Sequence, residues 1–192
     1  SVKAESVQAN DQHAEVLLAW QELLDSVLTP LLRAVGRDHG HEYQFFSDTS
    51  QAVAYTRSGT EILAWNVTKI YDWLGTLHRL LQAKYVGSGV WRDDKGEIKA
   101  EDVMWMLNRL VEIGSHEEAH ILRNESEQDW THNPDFYNFH LRLLNNILTT
   151  YTDGSGGLRF VEQIKRLQQK YNINDDFQLP ERFQQSKSQP AD

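Results

Sequence analysis

Leu17, Trp20, Leu24, Val27, Leu28, Leu31 and Val35 recur three or four residues apart. Such spacing gathers all seven side chains on one face of a helix and commits this stretch to packing against a core. Asn10 or Asp11 offers a side-chain cap in front of it. Pro30 falls inside the stripe, where its missing N–H predicts a kink or a break between two collinear pieces. The same period returns in Ile62, Leu63, Trp65, Ile70, Trp73, Leu74, Leu77 and Leu81, predicting a second long helix from about Thr60 to Tyr85. Val103, Met106, Leu107 and Leu110 predict a third, from about Ala100 to Ile113. Asn133-Pro134 is a strong start for a fourth, with Asn as the cap and Pro where no donor is needed. That helix carries Phe136, Tyr137, His140, Leu141, Leu144 and Ile147 to about Thr152. A last one, with Phe160, Val161, Ile164 and Leu167, ends near Tyr171.

Between the helices, Tyr43–Phe46 and Ala52–Tyr55 read as a short hairpin. The turn Asp93-Asp94-Lys95-Gly96 reads as another, with Trp91 and Ile98 facing inward. The expected fold is therefore mostly α: a single globular helical domain of five or six helices with one or two short β-hairpins, spanning residues 11–171. Residues 1–10 read as a flexible N-terminal segment and 172–192 as a polar C-terminal tail, ordered only if Phe177, Leu179 and Phe183 dock.

With 192 residues, 40% of them apolar, and six Trp, the chain can build a core without cross-links. It has no cysteine, which excludes disulfides, thiol catalysis and thiolate metal sites. A net charge of −9 weighs against a grip on nucleic acid and against docking on an anionic membrane. A cytoplasmic or periplasmic location fits both facts, and Ser1 at the start fits a processed chain or a piece of a longer, bacterial-type protein.

One stretch proposes a chemistry. His116-Glu117-Glu118-Ala119-His120 reads His-Glu-x-x-His. On a helix, His116 and His120 stand one turn apart and can hold one zinc from the same face, with Glu117 as general base toward a bound water. The pattern resembles the zincin metalloproteases, and Asn124-Glu125…Asp129 resembles the signature that supplies the third ligand in thermolysin-like members. On a continuous helix, however, Glu125 lies about 140° round from His120 and points away. His132 or His140 is then the candidate third ligand. A competing local reading takes Gly114-Ser115 as a helix stop followed by a capping box to Glu118, which makes His116 the first residue of a new helix.

Other candidates are shorter. His39-Gly40-His41 offers a histidine pair on a turn, and Arg33 with His39 resembles the spacing of HEPN ribonucleases. Ser58-Gly59 and Ser155-Gly156 each open a predicted helix, where free N–H groups can hold an anion. Because no catalytic constellation is complete on spacing alone, the primary expectation is a non-enzymatic helical protein–protein interaction domain or subunit. It would have a protein partner, with a second copy of itself in a homo-oligomer as one such partner, and no cofactor. The alternatives are a zinc-dependent hydrolase using residues 116–120 and a HEPN-like ribonuclease or RNA-binding module.

Overall fold

The computed structural model describes residues 3–34, 41–49, 52–57, 60–123, 132–152 and 158–188. Its first helix, α1 (Glu15–Ala34), carries the apolar stripe and runs past Pro30 without a break. Leu17, Trp20, Leu24 and Leu28 are completely buried. Trp20 meets Trp65 edge to face, with ring centroids 5.3 Å apart.

Three strands follow: β1 (Glu42–Phe46), β2 (Ala54–Thr56) and β3 (Ile62–Asn66). The predicted hairpin between the first two does not form. The sheet order is β1-β3-β2, with β3 parallel to β1 and antiparallel to β2. The predicted helix from Thr60 to Tyr85 is likewise corrected, into β3, α2 (Tyr71–Leu80) and β4 (Lys84–Gly87). The cause is a central strand buried on both faces. Leu63, Ala64 and Trp65 are all fully buried, and such a run has no period to distinguish it from a helix. Asn66 ends it. Its buried amide donates to the carbonyls of Asp48 and Ala52 and accepts from the N–H groups of Asp48 and Thr68. That side chain turns the backbone before Tyr71.

The second sheet is a meander of β4, β5 (Val90–Asp93) and β6 (Gly96–Ile98). Trp91 and Ile98 face inward as the spacing implies, and Gly96 takes the positive φ that the tight turn demands. Arg79 of α2 clamps Asp93 through two bonds of 2.7 and 2.8 Å.

The remaining elements are α3 (Ala100–Arg123), α4 (Pro134–Thr152), α5 (Leu158–Tyr171) and α6 (Glu181–Ser188). The fold is thus mostly α with short β elements. Among the described residues, no helix is long and apolar enough to cross a membrane. The expected halt at Gly114-Ser115 is absent, and α3 runs through it. A Cβ on Gly114 would stand 2.5 Å from Leu24 Cδ1, so this glycine lets α3 lie close against α1 rather than ending the helix. The Ser115 hydroxyl donates back to the Glu112 carbonyl, a bond made inside a helix rather than at its start. Asn133 does cap α4, accepting from the Phe136 N–H at 2.9 Å.

Both ends of the described chain are tied down. Glu5 bridges Phe45, Leu179 and Phe183 are buried, and Arg182 pairs with Glu5 and Asp11.

Candidate metal centre

Because α3 is continuous, His116 and His120 sit one turn apart in its last two turns, with His120 in the last, and not at a helix opening. α4 packs against this part of α3, and Phe136 is the contact: its ring stacks on His120 at 4.3 Å and meets His116 edge-on at 5.0 Å. His132 precedes the Asn133 cap, so the start of α4 brings its ring over both histidines. The His132 Nε2 faces His116 Nε2 across 3.1 Å and His120 Nε2 across 3.2 Å.

Hydrogen bonding alone accounts poorly for this arrangement. A neutral imidazole nitrogen is either one donor or one acceptor, so His132 Nε2 satisfies at most one of its two neighbours with a linear bond. A cation accommodates all three. Ligands on a tetrahedral zinc with bonds of about 2.0–2.1 Å lie about 3.3 Å from one another. The two separations from His132, 3.1 and 3.2 Å, come close to that edge length, and the three histidines form the one group of three potential metal ligands found among the described residues, their ligand atoms all within 4.8 Å of one another. Burial, and then the neighbouring imidazoles of His120, His140 and His132, hold the His116 pKa down to about 4. It is therefore neutral, with a lone pair to give, at physiological pH.

His140 stands apart from that group. Its Nε2 is 2.8 Å from the Ser115 hydroxyl, and its ring lies edge-on to His116 at 5.3 Å. It packs behind a ligand and its nitrogen is engaged there. Glu117 is 8% exposed, and burial pushes its carboxyl up to about 8. His120 is buried, His116 is half-buried and His132 is exposed, so the group opens to solvent on the His132 side.

Glu118, the charged residue at a variable position of the motif, is completely buried and hydrogen-bonded to His41 Nε2. His41 Nδ1 lies 3.9 Å from Asp25, which accepts from the Tyr43 hydroxyl at 2.6 Å. Burial opposes the charge on His41, but Glu118 and Asp25 outweigh it and raise the pKa. This network ties α1, β1 and α3 together behind the motif. Spacing alone points elsewhere, placing His41 on a turn and Glu118 in a capping box. The signal was present in the periodicity: Glu118 falls on the same stripe as Leu107, Gly114 and Ile121.

The remaining candidates lie mostly beyond what is described. Glu125, Asp129, His39, Ser58, Gly59, Ser155 and Gly156 all fall outside the described residues, and Arg33 lies in α1. Comparison with protein-family models, with curated proteins and with solved structures gave no match to any of them.

Proposed function

We propose that this protein is a metal-dependent hydrolase that holds a zinc-class divalent cation on His116, His120 and His132, with Glu117 as general base. One observation carries the reading: three histidine nitrogens converge within 4.8 Å of one another, and the two separations from His132 come close to the edge length of a tetrahedral site. Three nitrogen ligands would leave a fourth position for water, whose acidity a bound zinc would raise. The cation's charge would favour the ionised form of Glu117, next to His116 in the chain, which would take the water's proton as its oxygen attacked the scissile carbon. The same carboxyl would return that proton to the departing nitrogen or oxygen, so that one water would be consumed for each bond cut. The buried setting of Glu117 suits a group that must gain and release a proton near neutrality.

Metal analysis of protein purified without a histidine tag tests this. One zinc per chain is expected, lost in each of His116→Ala, His120→Ala and His132→Ala and kept in His140→Ala. Glu117→Gln should keep the zinc and lose turnover of a peptide mixture by at least a hundredfold. A metal-free protein, or zinc that survives all three ligand variants, overturns the reading.

A second reading, the protein–protein interaction domain, is favoured by a different observation. Met104 and Trp105, neighbours near the start of α3, are 54% and 61% exposed. Large exposed apolar side chains of this kind anchor interfaces. Light scattering over a range of concentrations, with Trp105→Glu as control, reads association of copies independently of metal.

A further inference from the structure

We infer that the substrate carries a large apolar group on the acyl side of the bond cut, seated on Tyr137 and Leu141 of α4. This rests on the hydrolase reading and deepens it. Tyr137 is 55% exposed and Leu141 is 64% exposed, although α4 buries other apolar residues, Phe136, Leu143 and Ile147, on its inner face. Spaced four apart, the two side chains lie one turn from each other on the same side of the helix. Their flanking positions, Asn138, Arg142 and Asn145, are polar and exposed, as an outward helix face ordinarily is. The apolar pair interrupts that face.

Its position gives it a use. The Tyr137 ring lies 6.1 Å from the ring of His132, the exposed ligand through which the metal centre reaches solvent, and 5.9 Å from Phe136. An apolar strip therefore begins at a ligand and continues one turn along α4. A carbonyl bound at the open coordination position would lay its acyl substituent along that strip. An aromatic or branched aliphatic amino-acid side chain and a fatty acyl chain share this chemistry. An exposed apolar surface beside a metal centre selects a substrate by burying its apolar part and not by charge.

Hydroxamates, which chelate an active-site metal through two oxygens, test this without a known substrate. The protein is loaded with cobalt, and binding of acetohydroxamate, 3-phenylpropanohydroxamate and octanohydroxamate is followed by the visible cobalt spectrum. At least one of the two apolar probes should bind roughly tenfold or more tightly than acetohydroxamate. The tighter of the two identifies a side chain or an acyl chain as the source. In Tyr137→Ala and Leu141→Ala, exposed positions where the fold should persist, that preference should shrink to about threefold or less. Equal affinity for all three probes overturns the inference, as does a preference that both variants retain. Cobalt binding without hydroxamate binding overturns the inference and leaves the metal centre standing. Failure to take up cobalt overturns the hydrolase reading and this one with it.

Discussion

Glu117 carries a proton at pH values where a free glutamate has lost it. Its ordinary pKa of 4.5 is raised to about 8 by burial. Between these values the unfolded chain binds fewer protons than the folded one, so the metal-free protein loses stability as pH rises from about 4.5 to about 8. The loss is on the order of 3–5 kcal/mol in full. Glu117→Gln keeps the shape and removes the ionisation. Denaturant melts of metal-free protein should find that variant the more stable at pH 8 and about equal to wild type at pH 4.5. His116 works in the opposite direction. Its pKa is depressed to about 4, so its contribution is intact above about 6.5 and is lost as pH falls toward 4. A zinc ion should flatten both trends while it stays bound, because it favours the ionised carboxylate beside it and blocks protonation of the imidazole. Equal pH profiles for metal-free wild type and Glu117→Gln would remove Glu117 from a buried, protonated state.

At the scale of elements, α3 shows both what the sequence discloses and what it withholds. His116, Glu117 and His120 are legible because the helical period alone places two histidines one turn apart. The continuity of the helix that carries them is not legible. Gly114-Ser115 has the chemistry of a helix stop, and only the approach of α1 shows that the missing Cβ serves Leu24 instead. The partnership of His132 is equally hidden, since it depends on how α4 docks and on no fixed spacing. The strand β3 is hidden for another reason: burial on both faces erases the alternation that marks a strand. Gly114→Ala tests the account of α3. In isolation the change should favour a helix by about 1 kcal/mol. Here the new methyl meets the fully buried Leu24, and overpacking of this kind costs about 1–3 kcal/mol. Chemical denaturation should therefore show Gly114→Ala less stable than wild type. In a Leu24→Ala background, where the methyl has room, the same substitution should become stabilising. Equal effects in the two backgrounds would mean that α3 and α1 do not meet at this glycine.

Over the whole molecule, the candidate metal centre and the main core are separate pieces of packing. Ala119, Phe136 and Leu143, with Leu122 and Phe139, form their own small cluster beneath the histidines. The large core extends from Val7 to Phe183 and includes the C-terminal segment. There Phe177 lies 3.7 Å from the place a Cβ on Gly75 would occupy and packs on Tyr71 and His78, while Asp175 bonds His13 and His78. The segment thus ties the entry to α1 to α2, far along the chain from α3 and the start of α4. Truncation after Tyr171 removes the buried Leu179 and Phe183 together with Phe177. Each such side chain is worth about 1.5–3 kcal/mol of burial, part of it offset by the freedom the strap regains. A net loss of about 3–5 kcal/mol follows, which lowers the melting temperature by roughly 10 °C in a chain of this size. Zinc affinity, measured by competition with a chelating dye at a temperature where the truncated chain is still folded, should stay within about threefold of wild type, because Phe136 belongs to the small cluster and the C-terminal segment to the large core. Saturating zinc at a hundred times its dissociation constant should then restore about 2.7 kcal/mol to both forms alike. A truncated chain that keeps its stability would contradict the docking of the strap. One that remains folded but binds zinc tens of times more weakly would show that the two clusters act as a single unit.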